Sequence, residues 1–276
     1  MTAPIPLSVV LPVCNGERYV GETIASVLSQ SYRDFEFLII DDGSTDRTPE
    51  ILQDFAQRDD RVRVLRQENR GVGHTIQRGL VEARGRLIAQ IGADDLALPG
   101  RLEKQVRFLE DNPDHVLVGS FLQIIDSEGR PIGVRTYPLE DRRIRSKLLL
   151  YNPVGSPAYT YRRGDALAAG GFTTRFPTCE DYDFVLRLAK RGKIANLAEA
   201  LTAYRFHPSS TKSTQTRRQL RDTVDTKRAA CREYGYRDTP ASRAVNLVQL
   251  WMTRLPAGLI YWLFKRIFVT PASQQR

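Results

Sequence analysis

Phe35-Glu36-Phe37-Leu38-Ile39-Ile40-Asp41-Asp42-Gly43-Ser44 is a mostly apolar run that ends in two carboxylates and a turn. A run of this length bounded by turn residues reads as a buried strand. Upstream, Leu7-Ser8-Val9-Val10-Leu11 reads the same way, and Pro12 is expected to stop its ladder because proline has no N–H to donate. After the turn Asn15-Gly16, residues Val20, Ile24, Val27 and Leu28 recur at helical spacing, and Thr48-Pro49-Glu50 starts a second helix with proline at its first position. Downstream, Val62-Arg63-Val64-Leu65 is a third strand. Ile76, Leu80 and Val81 mark a helix that closes near Gly85, and Leu87 to Ile91 form a fourth strand running into Gly92-Ala93-Asp94-Asp95. Strands that alternate with helices predict an α/β fold with a mainly parallel sheet flanked by helices, and such sheets bind ligands beyond the carboxyl ends of their strands.

The second part is more mixed. Leu102, Val106 and Leu109 share a helix face that ends near Asn112-Pro113. Strands are expected at Val116 to Val118, Phe121 to Ile125 and Ala158 to Tyr161, with a turn at Ser127-Glu128-Gly129. A helix is expected from Glu180 to Arg191, with Phe184, Leu186 and Leu188 partly buried. From about Arg205 the chain turns helical and Arg-rich, which puts a boundary near Ser209. The expected organisation is a domain over 1–208, divided at residue 112, and a helical tail over 209–276.

The chain has 276 residues, with 41 Lys and Arg against 32 Asp and Glu, a formal charge of +9. Its 41% hydrophobic content supports a sizeable core and excludes general disorder. The charge is uneven. Residues 1–140 carry 16 basic and 22 acidic side chains, whereas 141–276 carry 25 and 10. A basic rear half suits an anionic partner. No helix-turn-helix or stacking-aromatic motif supports nucleic acid as that partner, and the acidic front argues against it. Met1 to Leu11 lacks the basic and apolar regions of a secretory leader, and no stretch approaches the ~18 apolar residues of a membrane span. Cys14, Cys179 and Cys231 are odd in number and far apart, which suits reduced thiols in the cytoplasm.

Three carboxylate pairs fall at strand ends or loops: Asp41-Asp42, Asp94-Asp95 and Glu180-Asp181. Crowded carboxylates repel, and a hard divalent cation shared with a substrate phosphate relieves that repulsion. No G-x-x-x-x-G-K-[ST] loop is present, and Pro-Val-Cys-Asn-Gly-Glu follows the first strand in place of G-x-G-x-x-G, which argues against a P-loop ATPase and a nicotinamide dehydrogenase. A nucleotidyltransferase also joins an α/β sheet to acidic metal ligands, but its glycine- and lysine-rich loop is missing.

Five segments keep a recognisable order and spacing over roughly residues 5 to 210. They are Val9 to Glu17, Ile39 to Asp46, Ala93-Asp94-Asp95 with Leu98-Pro99-Gly100-Arg101-Leu102, Gly170-Gly171-Phe172 with Glu180-Asp181-Tyr182-Asp183, and Tyr204-Arg205-Phe206-His207-Pro208. Together they resemble the family 2, inverting, nucleotide-sugar glycosyltransferases, whose fold is the Rossmann-like GT-A type. The resemblance implies transfer of a sugar from a nucleotide-diphosphate donor, a UDP-sugar by preference, to a saccharide or lipid-linked acceptor. It also implies a role for each segment: Pro12, Val13, Asn15 and Glu17 flank the nucleotide, Asp42 with Asp41 beside it bonds the base, and Asp94 with Asp95 beside it holds Mg²⁺ or Mn²⁺. His207 approaches the metal or diphosphate, and Asp181 is the base that takes the acceptor's hydroxyl proton. A nucleotide-sugar binder without efficient transfer is the alternative it leaves open.

Three positions depart from the family pattern. Gly92 stands where the first Asp of D-x-D is usual, Cys14 where an aromatic is common, and Ser156 where many relatives carry His. His74 and His115 read as surface side chains, and Arg78, Arg84 and Arg86 as solvated helix arginines. Residues Arg254 to Val269 mix aromatics and aliphatics between basic anchors, which suits either a helix packed on the catalytic domain or a dimer partner, or one lying on an anionic membrane. The expected location is the cytoplasm, peripherally on the inner face of the plasma membrane.

Overall fold

The computed structural model describes residues 5–207, 215–256, 258–260 and the backbone of 270–271. Its front part alternates strands and helices: β1 (Leu7–Val13), α1 (Val20–Leu28), β2 (Phe35–Asp42), α2 (Thr48–Arg58), β3 (Val62–Gln67), α3 (Val72–Glu82), β4 (Leu87–Gln90). There follow β5 (Leu96–Ala97), α4 (Arg101–Asp111), β6 (His115–Ile125), β7 (Pro131–Arg135), α5 (Asp141–Lys147), β8 (Thr160–Arg162), α6 (Arg163–Ala168), α7 (Glu180–Leu188) and β9 (Lys193–Arg205). Helices α8 (Thr216–Glu233) and α9 (Pro240–Met252) and the short β10 (Thr270–Pro271) complete the described elements.

One sheet runs in the order β10-β7-β6-β8-β4-β1-β2-β3, with β9 paired to β5 and β6. Strands β4, β1, β2 and β3 are mutually parallel, while β8 inserts antiparallel between β4 and β6. The apolar run that opened the reading is buried on both faces. Val10, Leu38 and Ile40 pack towards Ile76 and Leu80 of α3, while Val9, Leu11, Phe37 and Ile39 pack with Val20, Ile24, Leu52 and Leu102 of the helices opposite. Two covered faces account for a continuous apolar run in place of an alternating one.

Several expectations need correction. Pro12 does not stop β1, which continues in register with β2 through Pro12↔Ile40 and Val13↔Asp41. The carbonyl of Val10 accepts from Ile91 N, so Val10 turns its polar groups towards β4. Pro12, two residues on, faces the same side, beyond the last β4 pair at Gln90, where no ladder donor is required. Val116–Val118 and Phe121–Ile125 belong to one strand, β6, whose pairing with β9 shifts register between Ser120 and Phe121. The strand expected at Ala158 begins at Thr160. Helix α7 ends at Leu188 rather than at Arg191, and Phe184, Leu186 and Leu188 are fully buried. His115 is half-buried, donates from Nδ1 to Asp114 Oδ1 at 2.8 Å, and meets Phe108 edge-on.

Strand β9 has no counterpart in the sequence reading. Ala195, Ala198, Ala200 and Glu199 favour helix over strand, and pairing along the length of β6 overrides that preference. The boundary near Ser209 and the stretch after Ile260 of the expected interfacial helix lie outside the described residues.

Candidate active site

Because β2, β1 and β4 are adjacent and parallel, the loops after them open at one sheet edge. The loop after β1 is stitched to the loop after β2. Asn15 N donates to Ser44 Oγ at 2.9 Å, Thr45 N to Asn15 Oδ1 at 2.8 Å, Gly16 N to Thr48 Oγ1 at 2.8 Å and Arg47 N to Glu17 Oε2 at 3.0 Å. Asn15 holds φ +52°, a left-handed conformation that asparagine tolerates. Of the four residues expected near the nucleotide, Val13 points into the core, Pro12 is half-buried, and Asn15 and Glu17 are exposed while shaping the loop. Gly43, at φ +75°, permits the close approach of the next segment: a Cβ there would lie 2.8 Å from Asn69 N.

Asp41 and Asp42 are both buried, with different surroundings. Asp42 accepts from Gln67 Nε2 at 2.7 Å, Arg70 N at 2.9 Å and Gly71 N at 2.8 Å. Burial works against its charge, but those bonds more than offset it and hold the carboxyl below its usual range. Asp41 accepts from Ser44 N through Oδ1. Its buried Oδ2 has no hydrogen-bond donor among the described residues and faces Arg66 Nε at 3.5 Å.

The loop after β4 meets the end of β9. Asp94 Oδ2 lies 2.8 Å from Nε2 of His207, and Asp95 Oδ1 accepts from Arg205 N at 2.9 Å. The buried Arg205 also donates to the carbonyl of Asp94 at 2.9 Å and to Glu22 at 2.7 Å, and lies 4.4 Å above the ring of Tyr19. The Tyr19 ring in turn sits 5.4 Å from that of His207. Gly92 leaves room for this cluster, since a Cβ there would be 2.4 Å from Asp95 Oδ2 and 3.1 Å from Asp94 Oδ1. Asp94 is the member that stays partly open. Its carboxylate and the His207 imidazole converge as one hard oxygen and one nitrogen donor. Among the described residues no three His, Cys, Asp or Glu side chains could hold an ion together. Such a pair fits an ion that completes its coordination on a substrate diphosphate.

Asp181 stands in the first turn of α7, on the wall of a cavity of about 320 Å³. Its Oδ1 accepts from Tyr182 N at 2.7 Å and its Oδ2 from Asn152 Nδ2 at 3.4 Å. Its motif neighbours have other tasks. Tyr182 donates its hydroxyl to the carbonyl of Leu148, and Asp183 accepts from Arg187, Thr173 and Tyr234, which anchors α7 to its surroundings. Glu180 is pushed up to about 8 by burial first and by the charge of Asp181 second. Ser156 lines the same cavity as Asp181, together with Arg135, Tyr137, Tyr151 and Phe206, and the tail supplies Leu220, Met252 and Ile260. Arg135, stacked 5.0 Å over Tyr137, and Tyr151 were not found from sequence, since no short motif surrounds them. Arg101, known only as a motif member, is fully buried and donates to the carbonyls of Gln90 and Pro157.

The curled, mainly parallel sheet flanked by helices is similar to the fold of GT-A glycosyltransferases. The chain belongs to Glycosyl transferase family 2, whose family model matches residues 8–170. It is 33% identical over 221 residues to a glycosyltransferase of Haemophilus influenzae, covering 75% of this chain and 67% of the relative. With the O-antigen biosynthesis glycosyltransferase WbnJ of Escherichia coli it shares 30% over 209 residues, 74% of this chain and 81% of that one. Among solved structures, S. aureus TarS 1-349 in complex with UDP-GlcNAc superposes with a TM-score of 0.65 at 17% identity, covering 90% of this chain and 72% of TarS 1-349. The mannosyltransferase PcManGT from Pyrobaculum calidifontis, in complex with GDP-Man and Mn²⁺, gives 0.65 at 16%, covering 99% and 78%. The chain is therefore a glycosyltransferase. Among the described residues no helix is long and apolar enough to cross a membrane.

Proposed function

We propose that this enzyme transfers a sugar from a nucleotide-diphosphate donor, a UDP-sugar by preference, to a saccharide or lipid-linked acceptor with inversion at the anomeric carbon. The observation that carries the reading is the meeting of Asp94 and His207 at the sheet edge that also bears Asp41 and Asp42, with Asp181 on a neighbouring cavity wall.

In this reading residues 1–112 serve the donor, 113–208 the acceptor, and 209–276 form the tail. The base edge meets Asp41 and Asp42, where Oδ2 of Asp41 is paired in charge with Arg66 and accepts no hydrogen bond from a described residue. The loop of Pro12 to Glu17, locked by Ser44, Thr45 and Arg47, walls the nucleotide. Asp94 and His207 would hold Mg²⁺ or Mn²⁺, and Asp95, fixed by Arg205, keeps their loop in place. When bound, such an ion supplies charge neutralisation to the departing diphosphate.

A sugar hydroxyl is a poor nucleophile near neutral pH. A carboxylate in reach of it is worth about 10²- to 10⁴-fold as general base. Asp181, oriented by Asn152 and by Tyr182 N, takes that role and receives the proton as the hydroxyl attacks. A donor screen settles the reading: UDP-, GDP- and dTDP-sugars are incubated with Mn²⁺, free nucleotide is measured, and product anomers are assigned by NMR. Release from one donor with inverted product is expected. Retained configuration, or release from none, refutes it.

A further inference from the structure

The described residues expose eight large hydrophobic side chains, and the three most exposed sit together on α9: Leu247 at 69%, Trp251 at 58% and Val248 at 56%. On a helix, Leu247 and Trp251 stack one turn apart with Val248 beside them. Arg243 lies one turn before Leu247 and Arg254 three residues after Trp251, so an exposed cation stands at each end of the stripe. The opposite face of α9 is committed elsewhere. Gln249 accepts from the buried Lys227 of α8 at 2.6 Å, and Met252 lines the cavity of Asp181.

Beside the stripe, α8 and α9 enclose a second cleft of about 560 Å³. Lys227, Arg228, Arg232 and Arg243 line it against the single acid Asp238, with Ser242 and Asn246 between them, and Oδ1 of Asn246 is buried without a donor among the described residues. Residues 215–260 carry nine Lys and Arg against four Asp and Glu. Two of those acids are engaged with arginines on or near this face, Asp238 with Arg243 and Asp225 with Arg228.

We infer that the outer face of α8 and α9 docks on an anionic lipid surface, with Leu247, Val248 and Trp251 entering the interface and the cationic cleft taking lipid phosphates. Aromatic and aliphatic side chains between cations are what an interfacial helix requires, since apolar burial and attraction to anionic headgroups add. Charge argues against a second copy as occupant, because pairing two stripes would bring Arg243 and Arg254 of each copy against the other's. Docking there puts one wall of the cavity of Asp181 near the lipid surface, since Gln249 and Met252 of α9 line it. The inference stands independently of the proposed transfer reaction.

The test is flotation of the full chain with vesicles of phosphatidylcholine alone and with about one third phosphatidylglycerol. Expected is flotation with the anionic vesicles only, weakened by salt. Leu247→Glu/Trp251→Glu should reduce it at least tenfold, and Arg228→Gln/Arg232→Gln/Arg243→Gln should erase the preference for anionic lipid. Donor hydrolysis and circular dichroism, followed in parallel, should stay unchanged in both variants. Flotation that ignores either set of substitutions overturns the inference. So does a lack of vesicle binding, whether accompanied by stabilisation with inorganic phosphate or by a concentration-dependent dimer that Leu247→Glu/Trp251→Glu dissolves.

Discussion

Nε2 of His207 lies 2.8 Å from Oδ2 of Asp94 although 113 residues separate them in the chain. The loop after β4 and the end of β9 are held together by Arg205, whose N–H and guanidinium bond Asp95 and the Asp94 carbonyl. If the pair binds the ion, removing one ligand weakens both metal affinity and turnover. His207→Ala should raise the Mn²⁺ concentration for half-maximal activity about 10- to 100-fold and leave metal-free binding of UDP intact. Titration of activity with Mn²⁺ measures this. An unchanged midpoint removes His207 from the metal site.

Asp181→Asn keeps the shape of the side chain and removes its basicity. Under the proposed roles transfer should fall by about 10²- to 10⁴-fold, with the donor KM little changed because Asp181 lines a cavity that Asp41, Asp42 and Asp94 do not. Steady-state kinetics with the donor found by the screen measures the split. A variant that loses donor affinity and keeps turnover assigns Asp181 to binding.

The acidic strand ends and the motif carboxylates were legible because strand-end placement is local: a buried run followed by Asp-Asp-Gly defines where the side chains emerge. What local pattern could not reveal is which carboxylates are already engaged. Asp42 is filled by donors from Gln67, Arg70 and Gly71, and Asp183 by Arg187, Thr173 and Tyr234. Only the tertiary fold brings those donors to them. Strand β9 escaped notice because its alanines and Glu199 favour helix while its pairing partner lies some eighty residues upstream. The stacking of Arg205 on Tyr19 escaped for the same reason, since a cation over a ring becomes visible only when distant segments meet.

Arg101 is the clearest test of a motif residue that acts through structure. Its guanidinium is fully buried, donates to the carbonyls of Gln90 and Pro157, reaches Gln105 Oε1 at 3.4 Å, and is favoured by the charge of Asp95. Burial lowers its pKa to about 10, so it remains charged at neutral pH. Arg101→Met leaves two buried carbonyls without donors and should destabilise the fold by about 3 kcal/mol or more. Urea unfolding, with the slope unchanged and the midpoint lowered, checks this. Wild-type stability in the variant shows that the carbonyls find other donors.

Glu180 supplies a prediction in which pH is the variable. Its folded pKa of about 8, raised by burial and then by Asp181, lies above the usual glutamate value of 4.5. Below 4.5 the group is neutral in both folded and unfolded chains and does not affect the balance. Between 4.5 and 8 the unfolded chain releases the proton while the folded one retains it, so stability falls as pH rises through this window. Above 8 both states are ionised and the difference is constant. Glu180→Gln removes the titration and keeps the size of the side chain. Its melting temperature relative to wild type should therefore rise steadily between pH 5 and pH 8 and then level off. Thermal melts across pH 4 to pH 9 measure the difference, and a difference independent of pH means that Glu180 titrates as an ordinary glutamate.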